Sequence, residues 1–215
     1  MFKIFIGFDS RMPVASDVLA YSLKKHSSIP LEINFLKKHE LNFNRADNLA
    51  STEFTYTRFL VPSLCDYKGL ALFMDNDMLC TADIKEIADL DMTNYALRVV
   101  KHDHNPTESV KMDGRTQTKY PRKNWSSFML MDCSKLTCWT REAVEAQPPA
   151  WLHRFEPIPD DQIGSIPFTW NVLDFPQGDT KLLHYTTGGP WFKERADCPG
   201  NEKWYRTYYD LMNGR

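Results

Sequence analysis

Asp75 and Asp77, in the stretch "LALFMDNDMLC" at 70–80, are two carboxylates one residue apart at the exit of an apolar run. In an extended backbone they point to the same side and Asn76 to the other, so the pair can share one ion. Carboxylate oxygens suit Mg²⁺ or Mn²⁺, which keep several waters and take further ligands from a substrate's phosphates. Asp and Asn are also favoured turn residues, so the triplet alone leaves a strand-to-turn boundary equally open. A second stretch, "LLHYTTGGPWF" at 182–192, ends a strand-like pair in His184 and then places Gly188 and Gly189 together. A neutral imidazole there offers a third metal ligand, and a glycine pair lets backbone approach a phosphate closely. A third, "PIPDDQIGSIPFTWN", carries Asp160, Asp161 and Gln162 between prolines, a pattern that by itself reads as a loop.

Elements must hold these groups in place. Lys3–Phe8 reads as a buried strand, and Ala15, Val18, Leu19, Ser22 and Leu23 recur at helical spacing up to Lys25. Leu31–Leu36 is the next strand. Ser51 is placed to cap a helix through Leu60 that Pro62 stops, and Gly69–Met74 is a further buried strand. Strands at Tyr95–Val100, Ser127–Asp132 and Lys181–Tyr185 and helices at Thr140–Gln147 and Lys203–Met212 complete the pattern. The β-α-β-α-β order predicts an α/β fold, a mainly parallel, Rossmann-like sheet flanked by helices, with ligands at the carboxyl ends of the strands. Asp9 and Asp75 both fall at such ends.

The chain has 215 residues, 42% of them hydrophobic, enough for one sizeable core rather than two. We expect a single domain over 1–215, with one half to 80 and the other over 81–215. Lys and Arg total 26 against 28 Asp and Glu, a formal net charge of -2 without a basic run, which argues against a nucleic-acid partner. The opening "MFKIFIGFD" lacks the longer apolar region of a secretion signal, and no stretch approaches the ~18 apolar residues of a membrane span. Five cysteines without a C-x-x-C pair fit reduced thiols, and the expected location is cytoplasmic, with a peripheral membrane association left open.

Taken in order, these motifs resemble the metal-dependent nucleotide-sugar glycosyltransferases of the GT-A fold, and within them family 8, the glycogenin and lipopolysaccharide galactosyltransferase type. "IGFDSRMPVASDVLAYSL" is similar to the family's first strand and helix, whose acid contacts the nucleotide base. That resemblance implies donor contacts at Gly7, Phe8, Asp9 and Arg11. "STEFTYTRFLVPSL" resembles the segment that supplies a basic residue to the donor, at Arg58. "FMDNDMLC" resembles the D-x-D motif, with Asp75 and Asp77 as metal ligands and Asn76 beside the donor. "KNWSSFMLMDC" resembles the strand near the donor sugar, with Asn124 at the family's Asn and Trp125-Ser126 in place of its small residue and glycine. "DDQIG" resembles the Asp-Gln element close to the anomeric carbon, at Asp161 and Gln162. "HYTTGGPW" resembles the family's His-x-x-Gly-x-x-Lys-Pro-Trp. His184 takes the metal-binding position; the loop is one residue shorter and lacks the Lys, leaving Gly188, Gly189 and Lys193 for the phosphates.

The resemblance implies Mn²⁺ or Mg²⁺ as cofactor, a UDP-sugar donor and a product that keeps the donor's anomeric configuration. The acceptor, whether carbohydrate, lipid-linked glycan or protein, is unspecified. Two other classes fit parts of the pattern: a phosphatase of the haloacid dehalogenase group, which also uses D-x-D, and a non-catalytic nucleotide-sugar binding module. The polar segment 101–125, with His102, Asp103, His104 and Tyr120, reads as a solvated loop or as a flap over the site. Trp125, Trp170 and Trp191 read as core or as faces for sugar rings. Trp204, Tyr208 and Leu211 share a helical face that packs onto the domain or meets an acceptor or membrane surface.

Overall fold

The computed structural model describes residues 1–45, 50–103 and 122–214. In chain order the regular elements are β1 (Phe2–Gly7), α1 (Pro13–His26), β2 (Leu31–Leu36), α2 (Val61–Leu64), β3 (Leu70–Met74), β4 (Met78–Cys80), α3 (Lys85–Ala88), β5 (Leu97–Val99), β6 (Phe128–Asp132), α4 (Arg141–Ala146), α5 (Pro149–His153), β7 (Ile163–Ser165), β8 (Val172–Leu173), β9 (Leu182–His184) and α6 (Asn201–Met212). A central sheet runs β2-β1-β3-β6-β5-β7, and a small one runs β4-β9-β8. In the central sheet only β6 runs against the rest, antiparallel to both β3 and β5. The fold is therefore the expected α/β domain with a mainly parallel sheet and flanking helices.

Both faces of the central sheet are buried, which is why its strands read as nearly continuous apolar runs. Phe5, Ala71 and Phe73 face one cluster with Phe59 and Trp139; Ile4, Ile6, Leu72 and Met74 face another with Leu19, Leu23 and Phe128. α1 begins with Pro13 in its first turn, where a missing N–H costs nothing, and ends in Lys24, Lys25 and His26, which complement the helix dipole. Its buried Ser22 accepts a hydrogen bond from the Cys80 N–H at 3.1 Å, tying α1 to β4.

The helix expected from Ser51 to Leu60 is absent. That stretch forms turns and a 3-10 segment at Thr57–Leu60, and α2 starts where the helix was expected to stop. Pro62 lies in the first turn of α2, where proline needs no hydrogen-bond acceptor, so it opens the helix rather than ending one. Helix α4 has the expected cap, with Thr140 accepting from the Ala143 N–H at 3.1 Å. Among the described residues no helix is long and apolar enough to cross a membrane.

Candidate metal centre and adjoining cavity

Asp75, Asn76 and Asp77 are the crossover between the two sheets: β3 ends at Met74 in the central sheet and β4 begins at Met78 in the small one. Backbone bonds pin the crossover on both sides. The Asp75 N–H donates to the Ser127 carbonyl, and the Tyr185 N–H donates to the Asp77 carbonyl, each at 2.9 Å. Asn76 is buried and turned away, donating to Ser16 Oγ on α1 at 3.2 Å, so the two carboxylates share a side as the alternation predicts.

Antiparallel pairing of β4 with β9 sets Met78 opposite His184. His184 Nε2 thereby lies 3.1 Å from Asp77 Oδ1 and 4.0 Å from Asp75 Oδ2, and one ligand atom from each residue falls within 4.8 Å of the others. Two carboxylate oxygens and one imidazole nitrogen are a donor set that fits a divalent cation such as Mn²⁺ or Mg²⁺.

The state of His184 follows from a buried chain of hydrogen bonds. Ser127 Oγ donates to the Asn124 carbonyl at 2.6 Å, and so accepts from Asn171 Nδ2 at 2.9 Å. Asn171, fully buried, must then present Oδ1 to His184 Nδ1, also at 2.9 Å. That contact requires a proton on Nδ1 and leaves Nε2 to face the carboxylates. Burial disfavours an imidazolium here, but Asp77, then Asp75 and Asp174, outweigh it and raise the His184 pKa above its ordinary value. Asn171 escaped the sequence reading because it sits beside the two-residue strand β8, where no periodicity marks it.

Arg58 is buried, and its Nη1 lies 2.9 Å from Asp75 Oδ1 while donating to the Ser126 carbonyl at 2.8 Å. Asp9 is also fully buried. It accepts from the Arg11 backbone N–H at 3.1 Å, from Arg11 Nε at 2.8 Å and Nη2 at 2.6 Å, and from the Glu53 N–H at 3.4 Å. Burial raises its pKa, but these donors more than reverse that and hold the carboxyl below the usual range. Arg11 also donates to the Ser51 carbonyl at 2.8 Å.

A cavity of about 290 Å³ runs between the Arg11 and Ser51 side and the loop that follows β9, with Asp77, Gly188, Trp191 and Arg195 among its walls. Asp174 holds that loop, accepting from Thr186 Oγ1 at 2.6 Å and from the Thr187 N–H and Oγ1, each at 3.0 Å. Gly188 has φ +102, and a Cβ on Gly189 would meet the Trp191 ring at 2.2 Å, so both positions need glycine. Gly7 packs under the Phe54 ring, and Phe8 stacks edge-on to Phe35 with centroids 6.3 Å apart. Asn124 takes a left-handed conformation at the head of the turn leading into β6.

The structure thus brings Asp75, Asp77 and His184 together, and sets Arg11 and Gly188 in the adjoining cavity. Asp161 and Gln162 are not among the walls of that cavity, and their neighbour Asp160 pairs with Arg122 at the turn that carries Asn124. Asp161 and Gln162 are exposed, and the Gln162 carbonyl bonds the Ala96 N–H on the row of the sheet that also holds Asp132 and Leu70, five residues before Asp75 along β3. Lys193 is exposed and not among the cavity walls, whereas Arg195, two residues on, is. Trp170 is core, stacked on Phe128, and Trp204, Tyr208 and Leu211 pack onto the domain. Of the polar segment 101–125, residues 104–121, with His104 and Tyr120, lie outside the described residues, and with them most of the expected flap.

Comparison with known proteins gives a consistent result. The model of the family described as "Glycosyl transferase family 8" matches residues 17–194. "Protein CDI" of Arabidopsis thaliana is 45% identical over 218 residues, covering 94% of this chain and 84% of that protein. Among solved structures, the apo-form glycosyltransferase GlyE of Streptococcus pneumoniae superposes with a TM-score of 0.65 at 14% identity, over 99% of this chain and 62% of that one. This chain therefore spans less than two thirds of GlyE's length. The galactosyltransferase LgtC, solved with donor and acceptor sugar analogs, gives a TM-score of 0.59 at 14% identity, over 98% of this chain and 96% of its own.

Proposed function

Because the chain belongs to glycosyltransferase family 8 and has the GT-A fold, we propose that it transfers a sugar from a nucleoside diphosphate donor, a UDP-sugar by family habit, to a hydroxyl acceptor. The supporting observation is the convergence of Asp75, Asp77 and His184 beside a cavity of about 290 Å³ whose walls include Asp77, Arg11 and Gly188. Membership of this family also sets aside the phosphatase considered for the same D-x-D signature.

Asp75, Asp77 and His184 Nε2 would hold Mn²⁺ or Mg²⁺. When bound, the ion supplies Lewis acidity that neutralises negative charge developing on the diphosphate as the anomeric bond breaks. Arg58 pairs with the Asp75 carboxylate and orients it, so it acts on the donor through Asp75. Asn171 keeps the Nε2 lone pair of His184 aimed at the ion. Asp9 fixes Arg11, whose partly exposed guanidinium lines the cavity and offers N–H donors to carbonyl acceptors of the base or to the ribose. Asn124, at the turn into β6, borders the sugar, and the product keeps the donor's anomeric configuration.

The test is release of nucleoside diphosphate from a panel of nucleotide sugars by the full chain, with Mn²⁺ present or chelated. We expect metal-dependent release that Asp77→Ala abolishes while its thermal unfolding stays close to the parent's. Asn171→Ala, which leaves all three ligands in place, should weaken Mn²⁺ binding by about 10- to 100-fold. Mn²⁺ binding by Asp77→Ala equal to the parent's would refute the metal assignment. Tight nucleotide-sugar binding without turnover across acceptors would make the chain a binding module instead.

A further inference from the structure

We propose that His153, at the end of α5, is a positioning residue for the metal centre: through Ser126 it fixes the turn that sets both Asp75 and His184. The proposal rests on the metal assignment above and gives a task to a residue that is neither a ligand nor a wall of the cavity.

Three observations carry it. The first is that one turn serves both arms of the centre. Ser126 and Ser127 are successive residues in the 3-10 turn at the head of β6. The Ser126 carbonyl accepts from Arg58 Nη1 at 2.8 Å, and the same Nη1 lies 2.9 Å from Asp75 Oδ1. The Ser127 carbonyl accepts from the Asp75 N–H at 2.9 Å, while Ser127 Oγ accepts from Asn171, which reaches His184 Nδ1. A displacement of this turn therefore moves a carboxylate and the imidazole together.

The second is that a side chain from another element grips the turn. Ser126 Oγ is hydrogen-bonded to His153 Nδ1 at 2.9 Å. Ser126 stands where the resembling motif has glycine, so the motif itself supplies no such contact. The third is that the imidazole is held rigidly. Its ring packs edge-on to Phe59 at 5.1 Å and tilted against Tyr56 at 6.0 Å between centroids, and the Arg45 guanidinium sits 3.9 Å from the centre of the Tyr56 ring. Arg45 in turn donates to the Val144 and Gln147 carbonyls, at 2.7 and 2.8 Å, where α4 ends. Burial, then the charges of Arg58 and Arg45, keep the ring neutral, so it meets Ser126 as a hydrogen-bonding partner without repelling Arg58. Rigid outer-shell partners of this kind orient ligands that they never touch.

The experiment titrates Mn²⁺ into the folded full chain, alone and with UDP, for the parent, His153→Phe, His153→Asn, Ser126→Ala and the double variant of Ser126→Ala with His153→Phe, with a thermal melt of each. Phenylalanine keeps a ring against Phe59 and lacks the hydrogen bond; asparagine gives up the ring and places an amide where Nδ1 was, able to donate or accept. We expect His153→Phe and Ser126→Ala each to weaken Mn²⁺ binding by about 10-fold, the low end for outer-shell partners, and the double variant to lose no more than either alone. His153→Asn should bind Mn²⁺ more tightly than His153→Phe although it melts lower, an inversion that a packing role does not produce. Should the His153 variants not fold, Ser126→Ala decides. Mn²⁺ affinity that follows the melting order, or that stays within about twofold of the parent's in His153→Phe and Ser126→Ala, overturns the proposal and leaves the metal assignment standing. A parent that binds no Mn²⁺ even with UDP removes that assignment, and this proposal with it.

Discussion

Asp9 illustrates what a residue's surroundings leave it able to do. An ionised carboxylate has about four acceptor sites, and Arg11 and Glu53 donate to four. The acid therefore serves as a socket for Arg11, and the guanidinium is what the cavity meets. His153 is held in the opposite sense. Its Nδ1 is 2.9 Å from Ser126 Oγ and its ring packs on Phe59 at 5.1 Å; burial, then the charges of Arg58 and Arg45, push its pKa down to about 3. The folded state thus keeps His153 neutral where the unfolded chain, titrating near 6.5, takes up a proton. As pH falls from about 6.5 toward 3 the unfolded state is favoured by up to ~1.4 kcal/mol per pH unit, and above 6.5 the effect vanishes. Thermal melts of the parent and His153→Gln should show the parent losing ground steadily between pH 6.5 and 4. A difference in melting temperature that stays flat over that range would mean His153 protonates as easily folded as unfolded.

At the scale of elements, the site exists because one triplet changes sheets. β3 delivers Asp75 from the centre of the large sheet, and β4 carries the chain straight into a ladder with β9 that returns His184 to the same point. Neither sheet alone would bring the three ligands together. The other wall depends on the fit of β1 to the turn that carries Phe54. A Cβ on Gly7 would stand 2.4 Å from the Phe54 ring, and that ring in turn lies 5.3 Å from the Arg58 guanidinium. Gly7→Ala should destabilise the fold by about 1–3 kcal/mol through overpacking, read as a lower urea midpoint. An unchanged midpoint would show that Phe54 can step aside and is not what aligns Arg58.

Across the whole molecule, the cavity loop is braced by the last helix. Trp204 on α6 is buried in the cluster of Val18, Leu79, Leu183 and Tyr185, and the Tyr185 hydroxyl donates to the Gly200 carbonyl at 3.1 Å just before that helix begins. Trp204 also meets Trp191, so α1, the small sheet and α6 jointly set the position of the Trp191 wall. Trp204→Ala should lower stability by about 3–5 kcal/mol and weaken nucleoside diphosphate binding. Mn²⁺ affinity should change little, because the ligands hang on β3, β4 and β9. Equal losses of metal and nucleotide binding would show that the helix supports the whole site rather than the loop.

Local sequence determined most of the large sheet, because a strand buried on both faces has to be apolar along its length and the helix between two such strands has to repeat at helical spacing. β2 lies where the pattern placed it, and β1, β3, β6 and α1 within a residue or so at each end. It also determined the three metal-ligand candidates, since each sits where an apolar run ends. The short elements β4, β7 and β8 carry too few residues to show a period, and the stretch before α2 folds into turns under Phe54 and Arg58 rather than following its helical pattern. Who pairs with whom was decided only in three dimensions. Arg58 meets Asp75, Asn171 bridges Ser127 and His184, and Asp160 meets Arg122, because strand register joins residues far apart in the chain. Arg195, rather than Lys193, reaches the cavity because the Gly188–Gly189 turn and the Trp191 ring set the direction of the loop, and that direction depends on the packing of α6 beneath it.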